Sequence, residues 1–236
     1  GGVFNAFTTR ECTAYHVQIG RGDAEFAVAV LADMMLRPKL REHDFEKEKG
    51  AVVEELQRQR DDPSSEVSSL LFETMFDAPY GPRVGGSVES VKSLSAESMR
   101  EHFRNYYGRF FVAVAGHLRP ADVERWVEHY FDALPGSRQA PGSEISQRPR
   151  PVLRAPSVGK QIRPTSQHHV CVAWPLLVVD REAQRESLAA HRLLATALGG
   201  TMSSPVFDFV RGTNQWAYSV RVKWMESQDV AAVVLH

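Results

Sequence analysis

The sequence predicts an α+β protein in two parts, and three observations predict it. Segments with strand-like alternation are interleaved with segments of helical period, so neither type dominates. The stretch from Pro135 to Gly159 holds five prolines (135, 141, 149, 151 and 156) among Gly, Ser, Gln and Arg. It shows no apolar period and reads as a linker. Beyond it the order strand, helix, helix, strands resumes, without a repeat at the level of residues.

Each element has its own reason. Phe4 to Ile19 alternates and is rich in Phe, Thr, Tyr and Val, which predicts a strand pair or one long bent strand. Ala24 to Leu36 places Phe26, Val28, Val30, Leu31 and Met34-Met35 on a helix that Pro38 stops. A second helix runs from about His43 to Arg60. Asp62 is an expected N-cap, with Pro63 at the first helical position of a third helix that reaches about Phe76. Pro79 to Ser87 is a Gly/Pro loop. Ser95 caps a helix to Tyr107, Phe110 to Ala115 is expected as a short buried strand ending at Gly116, and Pro120 opens a helix through Phe131. In the second part a strand is expected at Gln167 to Trp174 and a helix at Arg181 to Leu198. A Gly-Gly turn and a short helix near Ser204 to Arg211 follow, then strands at Trp216 to Trp224 and Val230 to Leu235.

Composition narrows the function. The 236 residues are 43% apolar and 24% charged, enough to bury a core in one large domain or two modest ones. Net charge is -1, so no basic field calls for nucleic acid and no acidic tail is present. The apolar run Val170 to Val179 is too short and too broken to span a bilayer. Cys12 and Cys171 are far apart, which argues against a disulfide framework, and neither sits in a metal-type pair. The chain opens Gly-Gly inside a strand-like segment and stops at His236 just after an apolar strand. These ends read as those of an internal piece of a longer chain.

The segment Glu46-Lys47-Glu48-Lys49-Gly50-Ala51-Val52-Val53-Glu54-Glu55-Leu56 is the most informative. Glu48 and Glu55 are seven residues apart, nearly two full turns, so they share a helix face beside the apolar side of Val52, Val53 and Leu56. A carboxylate there suits a metal ligand or a general base. A row of charges on a solvated helix face is the commoner meaning of the pattern.

Other pieces surround that helix in order: Gly1-Gly2-Val3-Phe4-Asn5-Ala6 before it, then Asp61-Asp62-Pro63, Gly81-Pro82-Arg83-Val84-Gly85-Gly86, Leu198-Gly199-Gly200, Arg211 and Tyr218. The set resembles the pitrilysin/insulinase-type zinc peptidases, which include the mitochondrial processing peptidases. The Gly-Gly-x-x-Asn-Ala segment and the Glu-x6-Glu helix are its most specific parts.

The resemblance implies duplicated mixed or antiparallel sheets flanked by helices, in two similar α+β halves that enclose a cavity. On that expectation 1–134 is most of the N-terminal half, 135–159 the linker and 160–236 the start of the second half. It implies zinc in the full-length parent, Glu55 as the distal ligand and Glu48 as a supporting carboxylate one face-repeat earlier. Asn5 and Ala6 match a substrate-holding edge strand, with Phe7 lining the pocket after the scissile bond; peptide addition to a sheet edge needs little sequence preference. Arg211 and Tyr218 match a pair from the second half that reaches the substrate carbonyl, where Tyr donates to the developing oxyanion and Arg adds positive charge. Trp216 stands where the family has a smaller residue. The His-x-x-Glu-His motif, whose Glu serves as general base, is absent around all nine His residues. The motif lies farther upstream than residue 55 leaves room for, so its absence fits truncation as well as loss. One carboxylate does not make a zinc site, so the chain by itself is expected to hold the metal weakly or not at all.

Several residues have plainer readings. Asn5 as a turn cap with Phe7 in the core, and Arg211 and Tyr218 as a helix-end Arg and a rim Tyr, are structural alternatives. His168 and His169, adjacent on an expected strand, point to opposite faces and do not chelate as a pair. Leu198-Gly199-Gly200 follows a helix and lacks the Lys-Ser/Thr of a phosphate loop, and Ser203-Ser204 lacks a nucleophile elbow. The expectation is thus a zinc endopeptidase acting on peptides, without nucleic acid or a membrane span, as a possible homo- or heterodimer. The rivals are a non-catalytic homologue serving as partner or structural subunit, and a peptide-binding module with Glu48 and Glu55 merely solvated.

Overall fold

Two separate antiparallel sheets organise the described residues. The computed structural model describes residues 1–108, 110–131 and 151–236. These divide into two compact units. One is built from Gly1–Glu55 with the described part of Ser87–Arg148, the other from Leu56–Gly86 with the described part of Pro149–His236.

In the first unit β1 (Val3–Thr8) and β2 (Thr13–Gln18) form a hairpin, with Asn5 opposite His16 and Ala6 opposite Tyr15. This is the strand pair that the alternation predicted. α1 (Ala24–Leu36) buries Ala27, Val28 and Ala32 and packs against α6 (Pro120–Phe131). α2 (Glu42–Asp61) begins in this unit and its last residues, from Leu56, are counted with the second; most of it faces water, and only Leu56 on it is buried. α4 (Val88–Ser93) and α5 (Ala96–Tyr106) each begin with a reciprocal Ser-Ser capping box, Ser87 with Ser90 and Ser95 with Ser98. The sequence reading missed α4. Its six residues span less than two turns, too few for a period to show.

The expected buried strand Phe110 to Ala115 is corrected. Residues 110–115 join no ladder among the described residues, and Phe111, Val112 and Val114 are exposed. An apolar run has strand propensity, but only a neighbouring edge turns it into sheet.

The second unit centres on a three-stranded sheet in the order β3 (Val172–Leu177), β5 (Val230–Leu235), β4 (Val222–Glu226). β5 is the middle strand, and Val230 through Val234 are all buried. Ala231 and Val233 pack with Leu188 and Ala195 of α7 (Arg185–Gly199), and Val230 on the opposite face packs with Phe76 and Tyr80. α3 (Pro63–Met75) leads into Phe76. Its N-cap Asp62 accepts from Ser64 N at 3.3 Å and Ser65 N at 3.0 Å, with Pro63 at the first position as expected.

Register against β5 moves two predicted strands. β3 begins at Val172 and runs past Trp174 to Leu177, because its pairing extends from Leu235 to Val230. Pro175 fits there because β3 is an edge strand. β4 starts at Val222 rather than Trp216, since the backbone around Trp216 is tied elsewhere, as described below. α7 starts four residues later than expected. Gln184 Oε1 accepts from the N–H of Val179 and Asp180, and Asp180 Oδ1 accepts from Ala183 N, holding a turn before it. His168 and His169 lie outside any strand, and the His169 ring sits 6.0 Å from that of His236.

The predicted linker lies outside the described residues up to 150. Residues 151–159 run beside α3: Leu153 bridges to Phe76, and Arg154 pairs with Asp77 at 2.7 Å. No helix among the described residues is long and apolar enough to cross a membrane.

Candidate functional site

α2 carries both glutamates of the predicted set. Glu48 and Glu55 are exposed, two turns apart on one face, and Leu56 anchors the helix beside them. Among the described residues no three His, Cys, Asp or Glu side chains converge to hold a metal ion. The described residues therefore do not by themselves make a zinc site, which needs three or more converging ligands.

Asn5, Ala6 and Phe7 lie on β1, whose six residues are all exposed. Among the described residues β1 has β2 on one edge and no strand on the other. Strand alternation places Asn5 and Phe7 on one face and Ala6 on the other. The Asn5 side-chain carbonyl Oδ1 accepts the Ala6 N–H at 2.8 Å, and the Phe7 ring lies 6.1 Å from that of His16.

Arg211 and Tyr218 are brought together. Asp208–Thr213 is a π-helical turn that follows the short α8 (Pro205–Phe207), a geometry that recurs at functional positions. The Arg211 guanidinium lies over the Tyr218 ring at 4.4 Å and over the Phe207 ring at 5.2 Å. Among the described residues it has no carboxylate partner, and the Tyr218 hydroxyl has no hydrogen-bond partner. A cation held by two rings, with its N–H groups and a phenol free to donate, is chemically suited to a carbonyl oxygen that gains negative charge.

The sequence reading missed Phe207 as part of this set. The signal for it was the four-residue step to Arg211, which brings side chains together on a helix. Turn geometry fixes the rest: Asn214 N and Nδ2 both donate to Phe209 O, at 3.1 and 2.7 Å, Trp216 N donates to Val210 O at 2.9 Å, and Gln215 takes a positive φ of 54°. None of these residues lines the cleft of about 260 Å3 in the first unit, which Arg21, Glu25, Arg119, Asp122 and Trp126 border.

Known proteins define the class. The family model described as insulinase (peptidase family M16) matches residues 1–86, and that described as the peptidase M16 inactive domain matches residues 93–231. The chain belongs to the M16 peptidase family. Two relatives carry the name uncharacterized zinc protease. One, from Streptomyces coelicolor, is 35% identical over 93% of this chain and 48% of its own length. The other, YmxG of Bacillus subtilis, is 31% identical over 93% of this chain and 52% of its own. The chain thus spans about half the length of the curated relatives it matches. A crystal structure of a protease from Helicobacter pylori superposes with a TM-score of 0.77 at 17% identity, over 100% of this chain and 57% of that one, which shows the α+β fold.

Proposed function

We propose that residues 1–236 are part of a zinc-dependent endopeptidase that cleaves peptides or unfolded segments held in a cavity between two halves. The observation that carries this reading is the pairing of Arg211 with Tyr218, donors without a protein acceptor among the described residues, in a chain whose relatives are named zinc proteases.

In this reading Arg211 and Tyr218 donate to the scissile carbonyl as its oxygen gains charge. β1 takes the substrate as an added strand along its outer edge, with Asn5 and Ala6 holding its backbone and Phe7 lining a side-chain pocket. Glu55 is one zinc ligand and Glu48 supports it, while a His-x-x-Glu-His helix from outside these residues supplies the other ligands. The division into 1–134, 135–159 and 160–236 belongs to the same proposal, as does assembly into a homo- or heterodimer. A second reading, a non-catalytic partner or structural subunit, is supported by the description of the model matching 93–231 as an inactive domain.

The test uses the full-length protein with its native N-terminus. Bound zinc is measured for the wild type and Glu55→Gln, and peptide cleavage for the wild type and Tyr218→Phe. The peptidase reading expects near-stoichiometric zinc that falls sharply in Glu55→Gln. It also expects kcat to fall about 100-fold in Tyr218→Phe, the scale of losing one oxyanion donor. Zinc absent from both proteins, with no cleavage, establishes the non-catalytic reading instead.

A further inference from the structure

The two proposed donors sit at the surface, yet a short run of packed residues connects them to the core of the second unit. Tyr218 is 83% exposed and lies outside any strand. Among the described residues its ring is met by the Arg211 guanidinium, 4.4 Å from the centroid. Arg211 is half-buried, and its guanidinium also lies over the Phe207 ring at 5.2 Å, one four-residue step back. Phe207 in turn is half-buried at the end of α8, where its neighbour Val206 packs against the cluster of Ala195, Val222 and Val233. Buried Ser204 fixes the start of that turn. Its Oγ donates to Thr201 O at 2.7 Å, and its carbonyl accepts from Asp208 N at 3.0 Å. Position is passed from the core to Phe207, from Phe207 to Arg211 and from Arg211 to Tyr218.

The way Arg211 is held matters for what it can do. A carboxylate would fix the guanidinium by taking up its N–H groups and would offset its charge. A ring face attracts the cation through its quadrupole and leaves N–H groups to donate elsewhere. Asp208 lies three residues before Arg211 on the same turn, yet no ion pair joins the two. Its Oδ1 lies instead 2.6 Å from where a Cβ on Gly212 would stand.

We infer that Phe207 is a positioning residue for the proposed reaction: its ring fixes the Arg211 guanidinium, and through it Tyr218, so that both donors are in place before the scissile carbonyl gains charge. This rests on the peptidase reading above. The benzyl side chain has no donor or acceptor to offer a peptide and acts only through Arg211. Donors placed in advance stabilise developing charge without reorganisation. Loss of the ring therefore falls on the chemical step rather than on peptide affinity.

The experiment uses the full-length protein and measures kcat and KM on one cleaved peptide. The proteins are the wild type, Phe207→Leu, Phe207→Tyr, Arg211→Ala and the double variant of Phe207→Leu with Arg211→Ala. The inference expects Phe207→Leu to lower kcat about tenfold, the scale of a lost cation–ring contact, with KM changed less than about twofold. Phe207→Tyr keeps the ring face and restores most of kcat. In the Arg211→Ala background Phe207→Leu costs less than about twofold, because a residue that acts through another is silent once that other is gone. An unchanged kcat, or the same loss of kcat with and without Arg211, gives Phe207 no role beyond packing and overturns the inference. Should Phe207→Leu fail to fold, Phe207→Met, nearer in volume and without a ring, is read by the same criteria. If the wild type cleaves no peptide, the peptidase reading has failed, and NMR decides the ring contact apart from it. The Arg211 Hε resonance, assigned by its absence in Arg211→Ala, is expected upfield of free arginine through ring currents and moves back in Phe207→Leu. A resonance that does not move overturns the inference.

Discussion

Glu66 shows how a single residue ties one unit together. It is buried on α3, and Arg83 grips it with two bonds, Nη1 to Oε2 at 2.7 Å and Nη2 to Oε1 at 2.8 Å. Arg83 Nε also bonds Glu73 at 2.7 Å, and Arg163 reaches Glu66 at 3.4 Å. The Arg83 bonds hold the Glu66 carboxyl below the usual glutamate range and push the guanidinium higher still. Because the folded value is lowered, this stabilisation is complete above the usual glutamate range and fades as the pH falls through the lowered value. The stability gap between wild type and Glu66→Gln is therefore constant near neutrality and shrinks in acid, as urea unfolding across pH will show. Arg83→Met leaves a buried carboxylate with only weaker partners, Arg163 and the Gln161 amide. It is expected to lower stability by about 2 kcal/mol, less than for a fully buried pair, because Arg83 keeps 24% of its side chain exposed and Arg163 remains. The motif Gly81-Pro82-Arg83 was legible as a loop in the sequence. Its partner Glu66, seventeen residues away, was not, because nothing local announces a long-range ion pair.

At the scale of elements, two helical glycines separate close approach from open space. A Cβ on Gly199, the last residue of α7, would lie 2.4 Å from Val222 Cγ2 and 2.7 Å from the Val222 backbone N. The close packing of α7 on β4 depends on this missing atom. Gly199→Ala is expected to destabilise the protein by about 1–3 kcal/mol through overpacking, read as a lower urea midpoint at unchanged slope. Gly50, in the middle of α2, has no atom within 4 Å of its would-be Cβ. Gly50→Ala is expected to stabilise by about 0.5–1 kcal/mol in the same measurement, by relieving the cost of glycine in a helix. The sequence marked Gly199-Gly200 as a turn and placed Gly50 inside a helix. Only packing distinguishes the glycine that must stay small from the one that need not.

For the molecule as a whole, the proposed zinc site depends on ligands that residues 1–236 do not gather by themselves among the described residues. Residues 1–236 bring Glu55 but, among the described residues, no converging set of three metal-binding side chains. Residues 1–236 alone are expected to hold well under one equivalent of zinc after dialysis, measured by atomic emission, with the full-length protein holding about one. Near-stoichiometric zinc on residues 1–236 that survives Glu55→Gln would place the metal somewhere other than α2.

The sequence alone determined the α+β class, helices α1, α2, α5 and α6, the cap at Asp62 and the final strand. Each follows from local causes: apolar period, a capping side chain, a proline at the first turn. It also placed Glu48 and Glu55 on one helix face, since helical geometry alone does that. Tertiary structure decided where β3 and β4 begin, because β5 sets their register. Among the described residues it left 110–115 without a ladder, because strand propensity needs an edge to pair with. It also joined Arg211 to Tyr218 and set Trp216 against Phe209. A π-helical turn and a residue at positive φ build those contacts, and neither leaves a period in the sequence.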